Sequence, residues 1–378
     1  MRQDDRSGKA GRAEAGDSNL AHGFSDLSPD AVRRRYCGFM GSKLRTRAKR
    51  TLGFLVFLIV LVVGVVAFMH RQDIQDHFRA SGFDPSPRTV EVMHELDLTT
   101  TGERVFLASQ PTIDGSQLFN EQCADVDHSE QGHVLGCFTG DRIHLFDVPD
   151  ERVNGIVEVT AAHEVLHAAY SRMSDDERAV LAERLMTEFD TLSADNPELA
   201  ERMAVYDHLS EAAFANELHS VLGTEVQNLP EWLEEHYAEW FVNRGALVDH
   251  FDAYHSVFIE LRDQADAIDA EMTALRADVE QRNADYDDAV QQFNADAASF
   301  RRRNENFEFS ADPSEFERIR DELEVRRTDL QTTLETLQAD IDHYNSLRDD
   351  LTELSQLSSE LEQKLNSDLA PVTTRPDA

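Results

Sequence analysis

Residues Leu52 to Met69 read LGFLVFLIVLVVGVVAFM, an uncharged run of eighteen residues. At 1.5 Å per residue such a helix covers about 27 Å, the thickness of a bilayer's hydrocarbon core. No other stretch constrains the chain as strongly, because it divides it into segments on two sides of a membrane. A cleaved signal peptide is the rival reading. Its apolar region would be shorter, and no small-x-small cleavage site follows in HRQDIQDHF. The run therefore reads as an uncleaved single transmembrane helix, a signal-anchor. Arg33-Arg34-Arg35, Lys43, Arg45, Arg47, Lys49 and Arg50 precede it, whereas Arg71, Asp73 and Asp76 follow. The positive-inside rule then puts the N-terminus in the cytoplasm and everything from His70 outside the cell membrane.

Charge supports the same division. Residues 1–50 hold 12 Lys/Arg and 6 Asp/Glu, so the remainder carries −43 of a total of −37. Such an excess argues against nucleic acid as a partner. It suits a well-solvated surface in a salty environment, or a long solvated coiled coil. Residues 1–51 read as a disordered basic cytoplasmic segment, rich in Gly, Ala, Ser, Asp and Arg. Cys37 there is an inert thiol or an acylation site beside the membrane.

At the other end the pattern is heptad-like. Phe251, Tyr254, Phe258, Leu261, Ala265, Ile268, Met272, Leu275 and Val279 step by three and four residues. The seam continues to Phe300 with interruptions at Arg282 and Asp296, and a second runs from Phe316 to Leu365. Asp312-Pro313-Ser314-Glu315 is a helix start, with a cap and Pro at the first position. Residues 249–366 are expected to form a coiled coil, simplest as a long antiparallel hairpin turning near Asn304–Asp312. An intermolecular coil, with another protein or a second copy, is the alternative. Residues 367–378 are expected to be a disordered tail.

Between anchor and coil lies a domain over residues 70–248. Residues 70–98 read as a linker ending in a short amphipathic piece. Val105–Ala108, Gly132–Phe138 and Arg142–Val148 read as strands, the last two joined by a turn at Thr139-Gly140-Asp141. The alternation in Arg142–Asp147 suggests a half-buried or edge strand. Cys123 and Cys137, placed outside, are expected to form a disulfide worth about 3 kcal/mol in the chain-entropy view. The loop they close holds His128 and His133, either solvated or a second metal site. Ser174-Asp175-Asp176-Glu177 has the capping-box pattern for a helix to about Leu192, and Asn196-Pro197 opens another. A third helix is expected over Leu209–Leu222, closed by Gly223, and a fourth from Glu231 to about Asn243.

The chemistry is concentrated in Thr160-Ala161-Ala162-His163-Glu164-Val165-Leu166-His167-Ala168-Ala169-Tyr170. It lacks Gly and Pro, and its only charge is Glu164, so it reads as a buried helix. His163 and His167 lie at i and i+4 on one face, where two neutral imidazoles can share a zinc ion. Glu164 points elsewhere and suits a general base acting on water. The bland alternative is a core helix that happens to hold two histidines, at the cost of burying them and Glu164 without partners.

This segment resembles the long form of the zincin metallopeptidase signature, including Thr160 three residues before His163. The resemblance spans roughly residues 100–245 and is tight only in this helix. It implies an α+β zincin-like domain, mainly helical with a small sheet, whose edge strand aligns an extended peptide. A third protein ligand to Zn2+ is then needed, and Glu217 sits in a small, apolar helical row. Asn216-Glu217 followed by Ser220 also resembles the third-ligand helix of gluzincins, although Val221 stands where an Asp often follows. Glu211 and Glu225 are rivals. A gluzincin also needs a group to stabilise the oxyanion, and His219, His236 and Tyr237 are open candidates. The resulting expectation is a membrane-anchored, extracytoplasmic zinc peptidase acting on a peptide or protein near the cell envelope. The alternative is a non-catalytic envelope scaffold with a zinc-stabilised domain and a coiled-coil docking arm.

Overall fold

The computed structural model describes residues 41–124 and 134–368, with side chains from Leu52 onward. The chain divides after His70 into two units, each described by itself. The first holds helix α1, Gly41–Met69, so residues 41–51 extend the apolar helix rather than forming part of a disordered segment. Its Leu52–Met69 window is long and apolar enough to cross a membrane, and none of it is buried. The expectations for residues 1–40, His128, His133 and residues 369–378 fall outside the described residues.

The second unit is mainly helical with one three-stranded sheet. It opens with α2, Arg71–Ser81, and α3, Pro87–Glu95, where the sequence suggested a linker. Ser86 caps α3, its hydroxyl accepting from the Thr89 N–H. Helix α4, Thr100–Ala108, replaces the strand expected at Val105–Ala108. Thr99 caps it through the Gly102 N–H, and its apolar run is too short for periodicity to separate a buried helix turn from a strand. Strand β1, Thr112–Asp114, and α5, Ser116–Cys123, follow.

Strands β2, Gly136–Phe138, and β3, Ile143–Phe146, form the expected hairpin, with the Thr139 N–H donating to the Arg142 carbonyl across the turn. The sheet order is β1-β3-β2, and β3 pairs parallel with β1 and antiparallel with β2. The edge expected at Arg142–Asp147 is therefore wrong: β3 is central, and all four of its residues are buried. Its polar member, His144, is satisfied inside by Thr112 Oγ1 at 2.9 Å from Nδ1. The edge strands are β1 and β2. The expected disulfide is present, Cys123 to Cys137, joining the end of α5 to β2.

A turn of 3-10 helix at Glu151–Val153 leads into α6, Ile156–Arg172, which is buried along most of its length. Helix α7, Asp175–Asp195, opens on a complete capping box between Ser174 and Glu177. Helix α8, Pro197–Ala204, is capped by Asn196. Helix α9, Glu211–Glu225, is capped by Ser210 and packs against α6. It runs through Gly223 instead of ending there. A Cβ on Gly223 would stand 2.3 Å from Leu166 Cδ1 and 2.8 Å from Tyr237 Cε1, so this glycine marks close packing rather than a helix end.

Helix α10, Glu231–Tyr237, stops six residues before the expected Asn243. The following segment leaves the helix to bond elsewhere: the Trp240 carbonyl accepts from the Thr99 N–H, and the Val242 N–H donates to the Asp97 carbonyl. Helix α11, Arg244–Glu305, starts in the body, where Leu247, Val248 and Phe251 are buried, and continues outward for 62 residues, about 93 Å. No boundary falls at residue 248. A turn containing a 3-10 segment at Glu308–Ala311 leads to α12, Pro313–Leu365, capped by Asp312. Pairs between the two helices run Arg303–Glu315, Asp296–Arg326, Arg282–Asp340 and Glu271–His343. The last turns of α12 return to the body, where Leu361 and Leu365 join its core and Lys364 Nζ reaches Asp150 at 2.7 Å.

Candidate metal centre

Helix α6 forms because its residues after Gly155 are apolar or small and unbroken by Pro, and because it can bury itself on three sides. It lies against α9, β2 and β3. That burial aims His163 and His167, one turn apart, at the same point. Their rings meet edge to face with centroids 4.7 Å apart. The facing residue on α9 is Glu217, whose Oε2 lies 3.5 Å from His163 Nε2 and 3.4 Å from His167 Nε2. Ligand atoms of the three residues all lie within 4.8 Å of one another, the one such grouping among the described residues.

These distances test whether zinc fits. Two ligand atoms bonded to zinc at about 2.0–2.1 Å and the tetrahedral angle stand about 3.3 Å apart. The two His–Glu separations match that edge. They are too long for hydrogen bonds, and Glu217 Oε2 is buried with no hydrogen bond of its own. On the far side of the His167 ring, Nδ1 lies 3.3 Å from Ser220 Oγ. If Nδ1 carries the proton and donates it there, the Nε2 lone pair faces Glu217, the tautomer a metal requires. The three side chains are mostly buried, 11–17% exposed.

Electrostatics describe the same convergence. Burial alone would lower the His167 pKa, but the Glu217 charge overcomes it and raises it to about 10. His163 is shifted upward by the same balance. Burial works to raise the Glu217 pKa, but the two imidazoles hold it well below the usual carboxylate range. The Glu217 carboxylate and the two imidazoles favour each other's charged forms, while the imidazoles oppose each other, and a metal ion there would have to displace the imidazole protons.

Glu164 is buried beside this triad, on the side of α6 covered by β2. Gly136 of this edge strand lies directly on it. A Cβ there would stand 2.6 Å from Thr160 Cγ2 and 2.8 Å from Glu164 Oε1. Sequence reasoning missed Gly136, although a glycine inside a strand is the usual sign of a close backbone approach. The disulfide anchors the next residue, Cys137, and so holds β2 over Glu164.

The rivals for the third ligand stand apart. Glu211 lies in the first turn of α9, and Glu225 is engaged by Arg202 Nε at 3.0 Å. The candidates for oxyanion stabilisation cluster with one another. His219 Nε2 lies 2.9 Å from His236 Nε2, and the Tyr237 hydroxyl donates to the His219 carbonyl at 2.7 Å. Burial holds His219 well below its ordinary pKa and takes His236 down to about 4, so both are neutral at pH 7. No family model matches this chain, and no curated protein or solved structure matches it either.

Proposed function

We propose that this chain is a membrane-anchored zinc peptidase whose body and arm lie outside the cell membrane. The observation that carries the reading is the triad: Glu217 Oε2 stands 3.5 and 3.4 Å from two imidazole nitrogens of an HExxH helix. His163, His167 and Glu217 would hold the ion. Zinc, when bound, supplies a Lewis acid that polarises a carbonyl and makes water a better nucleophile near neutral pH. Glu164 takes a proton from the attacking water as its oxygen bonds to the carbonyl carbon, then passes that proton to the amine as the C–N bond breaks. The outer edge of β2, next to Glu164 and paired with no strand among the described residues, can pair with an extended peptide backbone and present its amide to the base. The substrate is then a peptide or protein segment near the cell envelope.

The buried cystine supports an oxidising location for the body, and the basic flank before Leu52 supports a cytoplasmic N-terminus. We read α11 and α12 as an antiparallel coiled-coil hairpin, supported by the order of their cross-helix pairs. Such an arm would serve as spacer or docking surface. Its size is what favours a second reading, a scaffold in which the metal only stabilises the body.

Zinc content and hydrolysis separate the two. The purified full chain should bind about one zinc, and His163→Ala should bind none. Glu164→Gln should keep the zinc and lose about a thousandfold in peptide hydrolysis, within the range for removing a general base. Unchanged cleavage by that variant would remove Glu164 from the chemistry, and full zinc content in His163→Ala would remove the site. Orientation has its own check. In intact cells, external protease should reach residue 370 and spare residue 25; the reverse pattern refutes the topology.

A further inference from the structure

Helix α2 turns two charged residues, Asp76 and Arg79, toward the body, while Arg71, Gln72, Asp73, Gln75 and His77 are exposed beside two large apolar side chains. Asp76 is its one buried residue, gripped by Arg172 through Nε at 2.8 Å and Nη2 at 3.1 Å. Arg79 donates through Nε to the Ala108 carbonyl and through Nη2 to the Asp141 carbonyl, both at 2.8 Å. The two large apolar residues of α2 face outward. Ile74 and Phe78, four apart and so on one face, are 42% and 70% exposed. The inner face is held by charge-assisted hydrogen bonds, and the outer face offers a branched aliphatic side chain and an aromatic ring to whatever lies outside.

The chain itself indicates what that is. The apolar window ends at Met69, and α2 begins at Arg71. Along α2, Ile74 lies about 5 Å and Phe78 about 11 Å from its first residue. A helix this close to the end of a span, if it lies along the bilayer, keeps both side chains at interfacial depth. Apolar residues on one face, aromatic ones above all, are what such helices insert.

We propose that the Ile74–Phe78 face of α2 is a membrane-docking surface, seated in the interface of the bilayer that Leu52–Met69 crosses. The inference rests on the membrane reading of that window. It adds a second, noncovalent attachment to the covalent one. Because Asp76 of α2 grips Arg172 at the end of α6, the helix that carries His163 and His167 is fastened to a helix lying on lipid.

Quenching by brominated lipid tests this on the full chain in nanodiscs. Phe78→Trp, Val60→Trp and Phe307→Trp are compared, each over the background of Trp232 and Trp240. Phe307 is the exposed ring at the turn between α11 and α12 and serves as the control. The added fluorescence of Phe78→Trp and Val60→Trp should fall at least twofold on bromination, and that of Phe307→Trp should not change. Quenching at Val60 without quenching at Phe78 overturns the docking surface and leaves the span intact. Quenching at neither overturns the membrane reading as well. Equal quenching at Phe78 and Phe307 also overturns it, since lipid access would then not be particular to α2. Unquenched but blue-shifted emission from Phe78→Trp means the ring packs on protein, a partner or a second copy, and rejects lipid as the occupant.

Discussion

The body that carries the triad and the arm built from α11 and α12 are held together by opposite means. In the body, charge is taken inside and then matched. The Asp76 and Arg172 side chains are only 5% and 14% exposed and pair through two hydrogen bonds. Arg244, also buried, bonds Glu234 and the Val226 carbonyl. In the arm, charge stays outside. The Glu271–His343 pair is more than half exposed on both sides, and beyond the base of α11 only Phe309, Leu337 and Leu347 are buried before Leu361. A buried charge that loses its partner costs several kcal/mol, whereas an exposed pair contributes little. The body therefore depends on single atoms. The arm depends on the sum of many small contributions.

Four substitutions probe that contrast, and the largest effect is expected at Asp76→Ala. It strands the Arg172 guanidinium and should destabilise the body by about 3–5 kcal/mol in urea unfolding. Next comes Glu217→Ala, which should weaken zinc binding more than a hundredfold in a chelator competition, beyond what loss of a supporting hydrogen bond does. Glu225→Ala, which removes one of the two carboxylates beside Arg202, should change zinc affinity less than tenfold. If Glu225→Ala strips the metal and Glu217→Ala does not, the ligand set is wrong although the HExxH helix stands. The smallest effect is expected from Arg282→Ala in the arm, which breaks its pair with Asp340 and should cost less than about 1 kcal/mol. A loss at Arg282 as large as that at Asp76 would end the distinction between the two regions.

The contrast also explains what could be read from the residues alone. The two long helices α11 and α12 were legible because steps of three and four repeat over dozens of residues. The triad was legible because i, i+4 spacing is a property of one helix, and Asn216-Glu217 marked the second. Caps at Ser174, Asn196 and Asp312 are local hydrogen bonds and were visible for the same reason. The sheet was less so. Val105–Ala108 is four apolar residues with no period, and its helical state depends on the Thr99 cap. In β3 the alternation of Arg142, His144 and Asp147 suggested a wet face, but His144 finds Thr112 on a strand of three residues that pattern reasoning passed over. Gly136 could have been suspected as a strand glycine, yet what it touches, Glu164, is fixed only when the sheet meets α6.

Gly223 sets a mechanical tolerance. It is where α9 meets α6, six residues beyond Glu217, and the atoms nearest its missing side chain are Leu166, the neighbour of His167, and the fully buried ring of Tyr237. Van der Waals contact for a methyl begins near 3.5 Å, and the space ends at 2.3 Å. A methyl there must displace the end of Leu166 or the Tyr237 ring, between the helix that carries His163 and His167 and the helix that carries Glu217. Zinc accepts errors of about 0.2 Å in its bonds. The gauge of the proposed site thus leans on a hydrogen atom of a residue outside the triad.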